Sequence, residues 1–261
     1  MLKGALQTLA FKQGLSVSRT STNDEILGLI DLLKPRYADK ELIRIGGAND
    51  GGYLLPDDLE GIRYCFSPGV GDSVSFEQDL AGRGIESFLA DYSVESPPVK
   101  DERLYFCRKF VGACTDETHV TLDEWVGTNI PTNTGDLLLQ MDIEGAEYVT
   151  LLAASEKVLS RFRIMVIEFH HLGFLFDRHF LKFASETLKK VASQFVVAHV
   201  HPNNCCGLVK RGEVEMPRVM EFTFIRKDRA LNQGIKRTFP HALDQDNVPK
   251  NPTMTLPGCW R

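Results

Sequence analysis

Residues 62–91 constrain the fold more than any other part of the chain. An apolar run at 62–66 leads into Ser67-Pro68-Gly69-Val70-Gly71-Asp72. A helical spacing begins near Ser75 and stops at Gly82 and Gly84, and a second apolar run over 86–90 ends at Asp91. Glycines at 69 and 71 permit a sharp backbone turn beside a ligand. The helix that follows presents free N–H groups. Two strands joined through a covering helix lie parallel, so this one segment predicts a parallel sheet with a helix on its face.

The rest of the chain continues the alternation. The spacing of Ile26, Leu27, Ile30 and Leu33 predicts a helix over 24–33, capped by Asn23 or Asp24 and ended by Pro35. Glycine pairs at 46–47 and 51–52 predict a tight loop within 42–55. Further strands are expected over 104–111, 137–141, 164–167, 195–200 and 220–225, with helices over 121–126, 142–154 and 180–193. The run at 137–141 is almost wholly apolar, as suits a strand buried on both faces. Between residues 200 and 220 stand Asn203, Asn204, Gly207, Gly212 and Pro217, with no helical period. Nothing there can carry a parallel crossover, so the last strand is expected to return antiparallel.

The chain has 261 residues, 43% of them hydrophobic, which suits one α/β domain over 1–261 with a single sizeable core. Residues 1–40 read as an N-terminal helical extension and 228–261 as an irregular C-terminal tail. The first nine residues are mildly apolar with one lysine and no clear cleavage site, so they do not read as a signal peptide. No apolar run reaches the length of a membrane span. A net charge of −5 speaks against a nucleic-acid partner, whose binding would rest on phosphate neutralisation. Among the six cysteines no CxxC pair occurs, which argues against structural zinc. Adjacent Cys205 and Cys206 read as two loop thiols, with metal binding or oxidation as alternatives, and the composition fits a cytoplasmic protein.

The polar residues at the strand ends are the candidates for chemistry, because ligands of parallel sheets bind beyond the carboxyl ends of the strands. Asp91 stands about 20 residues after the glycine turn, where an acid accepts hydrogen bonds from a ribose, and Tyr92 lies beside it. The turn lacks a third glycine, and Asp72 directly follows the second. A carboxylate there would repel a pyrophosphate but can receive an ammonium, which favours an adenosyl amino acid over a dinucleotide. Asp142 and Glu168 follow apolar strands, and His170 or His171 can act as a general base near neutral pH. Asp142 and Glu144 equally suit the first turn of a helix. His201, Asn203 and Asn204 can contact a polar substrate or simply build a turn. In Asp50-Gly51-Gly52-Tyr53, the glycines allow close backbone approach and the tyrosine can stack on a ring.

Asp142-Ile143-Glu144-Gly145-Ala146-Glu147 after an apolar strand, followed by Ile167-Glu168 closing the next, resembles the hallmark of FkbM-type methyltransferases. The chain is similar to a branch with Arg44-Ile45-Gly46, Asp50-Gly51-Gly52-Tyr53, Ser75-Phe76-Glu77 and His201-Pro202-Asn203-Asn204. The likeness spans residues 42–226. It implies a class I methyltransferase fold, Rossmann-like and three-layered, with a seven-stranded sheet whose last strand is antiparallel. It also implies S-adenosylmethionine over Gly69 and Gly71 with its ribose at Asp91, and O-methylation of a sugar or other small hydroxyl compound. Ser67 departs from the family pattern, since an acid is common there, and Asp50 or Asp72 can take over that contact.

Within that frame Asp142, Glu168 and His170 are the candidate catalytic residues, and together they can hold Mg²⁺ or Mn²⁺. Asp50, Tyr53, Ser67, Gly69, Gly71, Asp72, Asp91 and Tyr92 are the candidate cofactor residues, and His171, His201, Asn203 and Asn204 the candidate acceptor residues. The alternatives are a non-catalytic module binding S-adenosylmethionine or a sugar, and a NAD-dependent oxidoreductase.

Overall fold

The computed structural model describes residues 2–14, 17–36, 39–132, 135–231 and 238–261. In chain order its elements begin with α1 (Leu2–Lys12), α2 (Asn23–Leu32), β1 (Leu42–Ile45), β2 (Tyr53–Pro56), β3 (Tyr64–Pro68), α3 (Ser75–Gly82) and β4 (Glu86–Ala90). Next come β5 (Leu104–Cys107), β6 (Phe110–Gly112), β7 (His119–Thr121), α4 (Leu122–Asn129), β8 (Leu137–Met141), α5 (Glu147–Ala153), α6 (Glu156–Leu159) and β9 (Phe162–Phe169). The last are α7 (Arg178–Gln194), β10 (Phe195–Pro202), β11 (Leu208–Arg211), β12 (Val214–Pro217) and β13 (Met220–Arg226).

Seven strands form one sheet in the order β10-β13-β9-β8-β3-β4-β5. Strand β13 is antiparallel to both its neighbours, whereas β9, β8, β3, β4 and β5 pair in parallel. This is the class I methyltransferase arrangement. Side chains alternate across the pleat, which gives the sheet two apolar faces. Phe66, Leu139, Met141, Met165 and Ile167 point to the face covered by α2, α4, α5 and α7. Cys65, Leu138, Ile164 and Val166 point to the other, covered by α3 and the β1–β2 hairpin. From β3 the chain builds outward to β4 and β5, then returns to lay β8 and β9 on the opposite side. The crevice between the tips of β3 and β8 is therefore the switch point at which such sheets bind ligands.

The structure differs from the sequence reading in several places, each with a local cause. Helix α2 is capped by Thr22, not Asn23 or Asp24, because Thr22 and Glu25 satisfy each other's backbone N–H groups as a capping box. The 42–55 loop is instead a hairpin, β1 paired with β2, with the glycines confined to its turn. The expected strand over 104–111 breaks at Arg108 and Lys109, so that β5 joins the main sheet and β6 pairs separately with β7. Asp142 and Glu144 do not open a helix. They lie in a turn with Glu144 and Gly145 at positive φ, and α5 begins only at Glu147. The 200–220 segment contains the β11–β12 hairpin. Cys205 and Cys206 are joined to each other and are not free thiols. The tail does not simply trail over the surface: Trp260 is fully buried against Phe222. No described helix is long and apolar enough to cross a membrane.

Candidate active site

Gly69 marks the crevice. Its φ is +93°, and a Cβ added there would stand 1.6 Å from the Asp142 carbonyl oxygen. No other residue lets β3 turn so close to β8; Asp142 N donating to Pro68 O at 3.3 Å holds that approach, and Gly69 N donating to Ala90 O at 3.0 Å ties the turn to β4. Two cavities open on either side of this contact, and both are lined by Gly69 and Asp142. The first, about 550 Å³, runs from Asp91 past Ile143 and Val149 to Phe110 and His119. The second, about 440 Å³, is polar and is walled by Asp50, Tyr53, Asp72, Glu77 and Gln140.

Asp91 is buried at the mouth of the first cavity. Its Oδ2 accepts from Val70 N at 3.0 Å, and its Oδ1 accepts from Ser93 N at 2.7 Å and from the Ser93 hydroxyl at 2.6 Å. These bonds fix the carboxylate yet leave it acceptor capacity for a diol. Tyr92 does not line this cavity; its ring carries the Arg108 guanidinium at 5.2 Å. Tyr53 is buried edge-on against Phe76 with centroids 5.7 Å apart, so its ring is not open to stack on a base. Gly71 faces open space, and Asp72 and Asp50 are exposed. Buried Ser67 lies behind the second cavity, its hydroxyl bonded to Glu77 and 2.6 Å from Gln140 Oε1.

The ionisable cluster reaches the cavities through Asp142, which lines both, and Glu144, which lines the first; Glu168 and His170 stand behind them and line neither. Glu168 is opposite Glu221 on β13, which is opposite His201 on β10, and Asp142 directly follows the register pair Met141 and Ile167. A row of acids therefore crosses the carboxyl end of the sheet. His170 stands over it, with Nε2 3.9 Å from Asp142 Oδ1, 3.6 Å from Glu168 Oε1 and 3.4 Å from Glu144 Oε2. Its Nδ1 lies 3.0 Å from Glu147 Oε1. Glu147 is completely buried, and the same oxygen accepts from Ile143 N and Gly145 N. The turn in the hexapeptide thus wraps its own last acid, and that acid keeps the proton on Nδ1 and leaves Nε2 facing the carboxylates.

Burial pushes the Asp142 carboxyl up to about 7, opposed by His170 and reinforced by Asp50, Glu144 and Glu147. Burial, Asp142 and Glu221 push Glu168 well above the usual carboxylate range. Burial opposes charge on His170, but the hydrogen bond and charge of Glu147, together with Asp142 and Glu144, outweigh it and raise the imidazole. Among the described residues, Asp142, Glu168 and His170 form the one group with ligand atoms all within 4.8 Å of one another. Asp142 Oδ1 and Glu168 Oε2 are buried without a hydrogen-bond partner.

A family comparison fits this geometry. The model of the methyltransferase FkbM domain matches residues 59–194, just over half of the chain. The chain belongs to the FkbM methyltransferase family. The match runs from the approach to β3 through α7 and so includes the glycine turn, Asp91, the acidic hexapeptide and His170. No curated protein matches the chain in sequence. Among solved structures, a prophage-encoded E. coli protein described as a DNA modification methyltransferase is similar over 67% of this chain, with 9% identity and a TM-score of 0.38. The FkbM chain spans 49% of that protein's length.

The remaining sequence candidates line neither of these cavities. Asn203 donates to Glu168 Oε1 at 3.1 Å and accepts from Cys205 N at 2.8 Å. Asn204 bonds Val248 in the tail in both directions. Neither side chain lines the cavities at Asp142. His201 lines a separate cavity of about 380 Å³ beneath the tail, with Asp244 and Phe239. His171 is exposed, stacked on Phe174 with centroids 5.5 Å apart. Sequence reasoning overlooked Glu147 and Glu77 as site residues, although both stand in the quoted motifs. It also overlooked Asn247, whose amide bridges Asp50 and Glu221 from a tail without periodicity.

Proposed function

We propose that this FkbM methyltransferase uses S-adenosylmethionine to methylate a hydroxyl oxygen of a sugar or another small hydroxyl-bearing acceptor. The observation that carries this reading is the pair of cavities meeting at Gly69 and Asp142. One is larger and partly apolar with an acid at its mouth, the other polar and acidic, which suits an adenosine joined to a cationic amino acid. The missing Cβ of Gly69 lets β3 turn against the Asp142 backbone, which brings the two cavities together. Asp91 would hold the ribose, and Glu77, Asp72 and Asp50 face the amino-acid half.

When bound, the cofactor supplies an electrophilic methyl carbon whose bond to sulfur breaks as the acceptor oxygen bonds to it. The chain's own contribution begins with alignment of the acceptor, worth about 7–11 kcal/mol through proximity and orientation. Its second contribution is removal of the hydroxyl proton. Asp142 Oδ1 is the better acceptor for that proton: its raised carboxyl is matched to neutral pH, and the oxygen accepts no hydrogen bond. The hydrogen bond and charge of Glu147 raise the His170 imidazole, and when protonated its Nε2 steadies the charge on Asp142 and Glu168.

A second reading is favoured by the same cluster. The fixed Nε2 lone pair of a neutral His170 and the unpaired oxygens of Asp142 and Glu168 form a donor set suited to Mg²⁺ or Mn²⁺, with Glu147 as the outer carboxylate that orients the imidazole. A cation there would lower the acceptor's hydroxyl pKa. Ligand atoms of the three side chains all lie within 4.8 Å of one another, close enough for one cation to be held among them.

Calorimetric titration with S-adenosylmethionine, S-adenosylhomocysteine and NAD, each with and without EDTA, tests both readings. Micromolar binding of the adenosyl ligands, lost in a folded Asp91→Ala variant, is expected. No binding by folded protein would remove the methyl-donor reading, and preference for NAD would replace it with an oxidoreductase. Binding without turnover across a panel of hydroxyl acceptors would leave a binding module. Turnover unchanged by EDTA, in protein free of metal, would remove the cation.

A further inference from the structure

The polar cavity beside Gly69 is walled by Asp50, Asp72, Glu77 and Asp142, with no lysine, arginine or histidine in its lining. These acids are not equivalent. Asp50 and Asp72 are exposed, and Asp50 Oδ1 already accepts from Asn247 at 3.2 Å. Asp142 belongs to the His170 cluster. Glu77 alone is both buried, at 6% exposure, and outside that cluster. Among the described residues no cationic side chain pairs with it; its partner is the Ser67 hydroxyl.

A buried carboxylate without a counter-charge is costly, and the cost is relieved by a bound cation. Helix α3 delivers Glu77 from its first turn to Ser67 at the tip of β3. The Ser67 hydroxyl also lies 2.6 Å from Gln140 Oε1, and Gln140 Nε2 lies 3.4 Å from the Tyr53 hydroxyl. One hydroxyl proton cannot serve both Glu77 and Gln140. The set is satisfied if Glu77 carries a proton, and burial does push its carboxyl above the usual range against the Ser67 hydrogen bond. An arriving ammonium would displace that proton and take its place between acceptor oxygens.

We propose that Glu77, steadied by Ser67 and Gln140, is the binding group for the primary ammonium of the methyl donor's amino-acid half. The inference rests on the methyl-donor reading and narrows it: specificity for an α-amino acid ligand resides in one buried carboxylate and not in the exposed Asp50 or Asp72.

The test is calorimetry on wild type and Glu77→Gln with three ligands that lack the sulfonium: S-adenosylhomocysteine, its des-amino analogue, and 5′-methylthioadenosine, which has no amino-acid half. Loss of one hydrogen bond to a charged group predicts that Glu77→Gln binds S-adenosylhomocysteine about 10- to 100-fold more weakly. It should bind methylthioadenosine within about twofold of wild type. Wild type should disfavour the des-amino analogue by a similar factor, and Glu77→Gln should show no further loss with it, the signature of a shared contact. Unchanged S-adenosylhomocysteine affinity in the variant overturns the proposal, as does equal weakening of all three ligands. If the variant does not fold, the wild-type comparison decides, and equal affinity for the amino and des-amino ligands overturns the proposal. Failure of wild type to bind even methylthioadenosine would overturn the methyl-donor reading itself.

Discussion

Replacing Glu147 with glutamine tests the link on which the site's electrostatics depend. The side chain is completely buried, and its Oε1 takes three donors: Ile143 N at 3.2 Å, Gly145 N at 3.0 Å and His170 Nδ1 at 3.0 Å. Its Oε2 has no partner. Glutamine has nearly the same shape, and its carbonyl can keep all three contacts. Each then becomes a bond to a neutral acceptor, weaker by about 1 kcal/mol, and the new NH₂ is a buried donor with nothing to bond, costing at least about 1 kcal/mol more. Removing a buried charge returns part of this, so the net loss is roughly 2–3 kcal/mol. For a chain of this size that corresponds to a fall in Tm of roughly 4–12 °C. The imidazole also loses the carboxylate that holds its charge and its tautomer, so turnover should drop about 10- to 100-fold, as for other acids that orient a functional histidine. Differential scanning calorimetry and a methyl-transfer assay on the same preparation check both numbers. A variant with wild-type Tm and wild-type turnover would refute the claim that Glu147 sets the state of His170.

Gly69→Ala should abolish S-adenosylhomocysteine binding and lower Tm, since its Cβ would stand 1.6 Å from the Asp142 carbonyl at a φ of +93°; calorimetric affinity within twofold of wild type would place the ligand elsewhere. Glu221→Gln tests the buried acid row by pH. Burial raises this carboxyl, with His201, the Asn247 hydrogen bond and Arg44 opposing, so the native state holds its proton more tightly than the unfolded chain. Its contribution is fully present below the unfolded pKa and fades as pH rises through the folded one, so the variant should be more stable than wild type at pH 8 and equal to it at pH 4 in thermal melts. The same gap at both pH values would contradict this. Trp260→Ala empties a fully buried site against Phe222 and should cost about 3–5 kcal/mol. Limited proteolysis should then cut within 238–261 faster than in wild type, and an unchanged rate would show that the tail is held by other contacts.

Local sequence determined the frame of this protein. The apolar run at 137–141, the glycine turn after 66 and the helical spacing at 180–193 are short-range signals, because periodicity and positive φ are properties of a few neighbouring residues. The lack of any helical period between 200 and 220 sufficed to turn β13 antiparallel for a similar reason: a parallel crossover needs a covering element that leaves a trace in sequence. Boundaries moved where a side chain made a stronger local bond than the pattern revealed, as Thr22 does with Glu25.

The partners of each polar side chain were decided only by tertiary structure. Asp142, Glu168 and His170 come from adjacent strand ends, and their mutual distances depend on the register of β8 against β9. Asn203 and Asn204 look like substrate ligands in the sequence, but the packing commits one to Glu168 and the other to Val248. Ser67 meets Glu77 because α3 folds back over the tip of β3. Hydrogen-bond partners are set by which elements meet in space, and no window of neighbouring residues encodes that meeting.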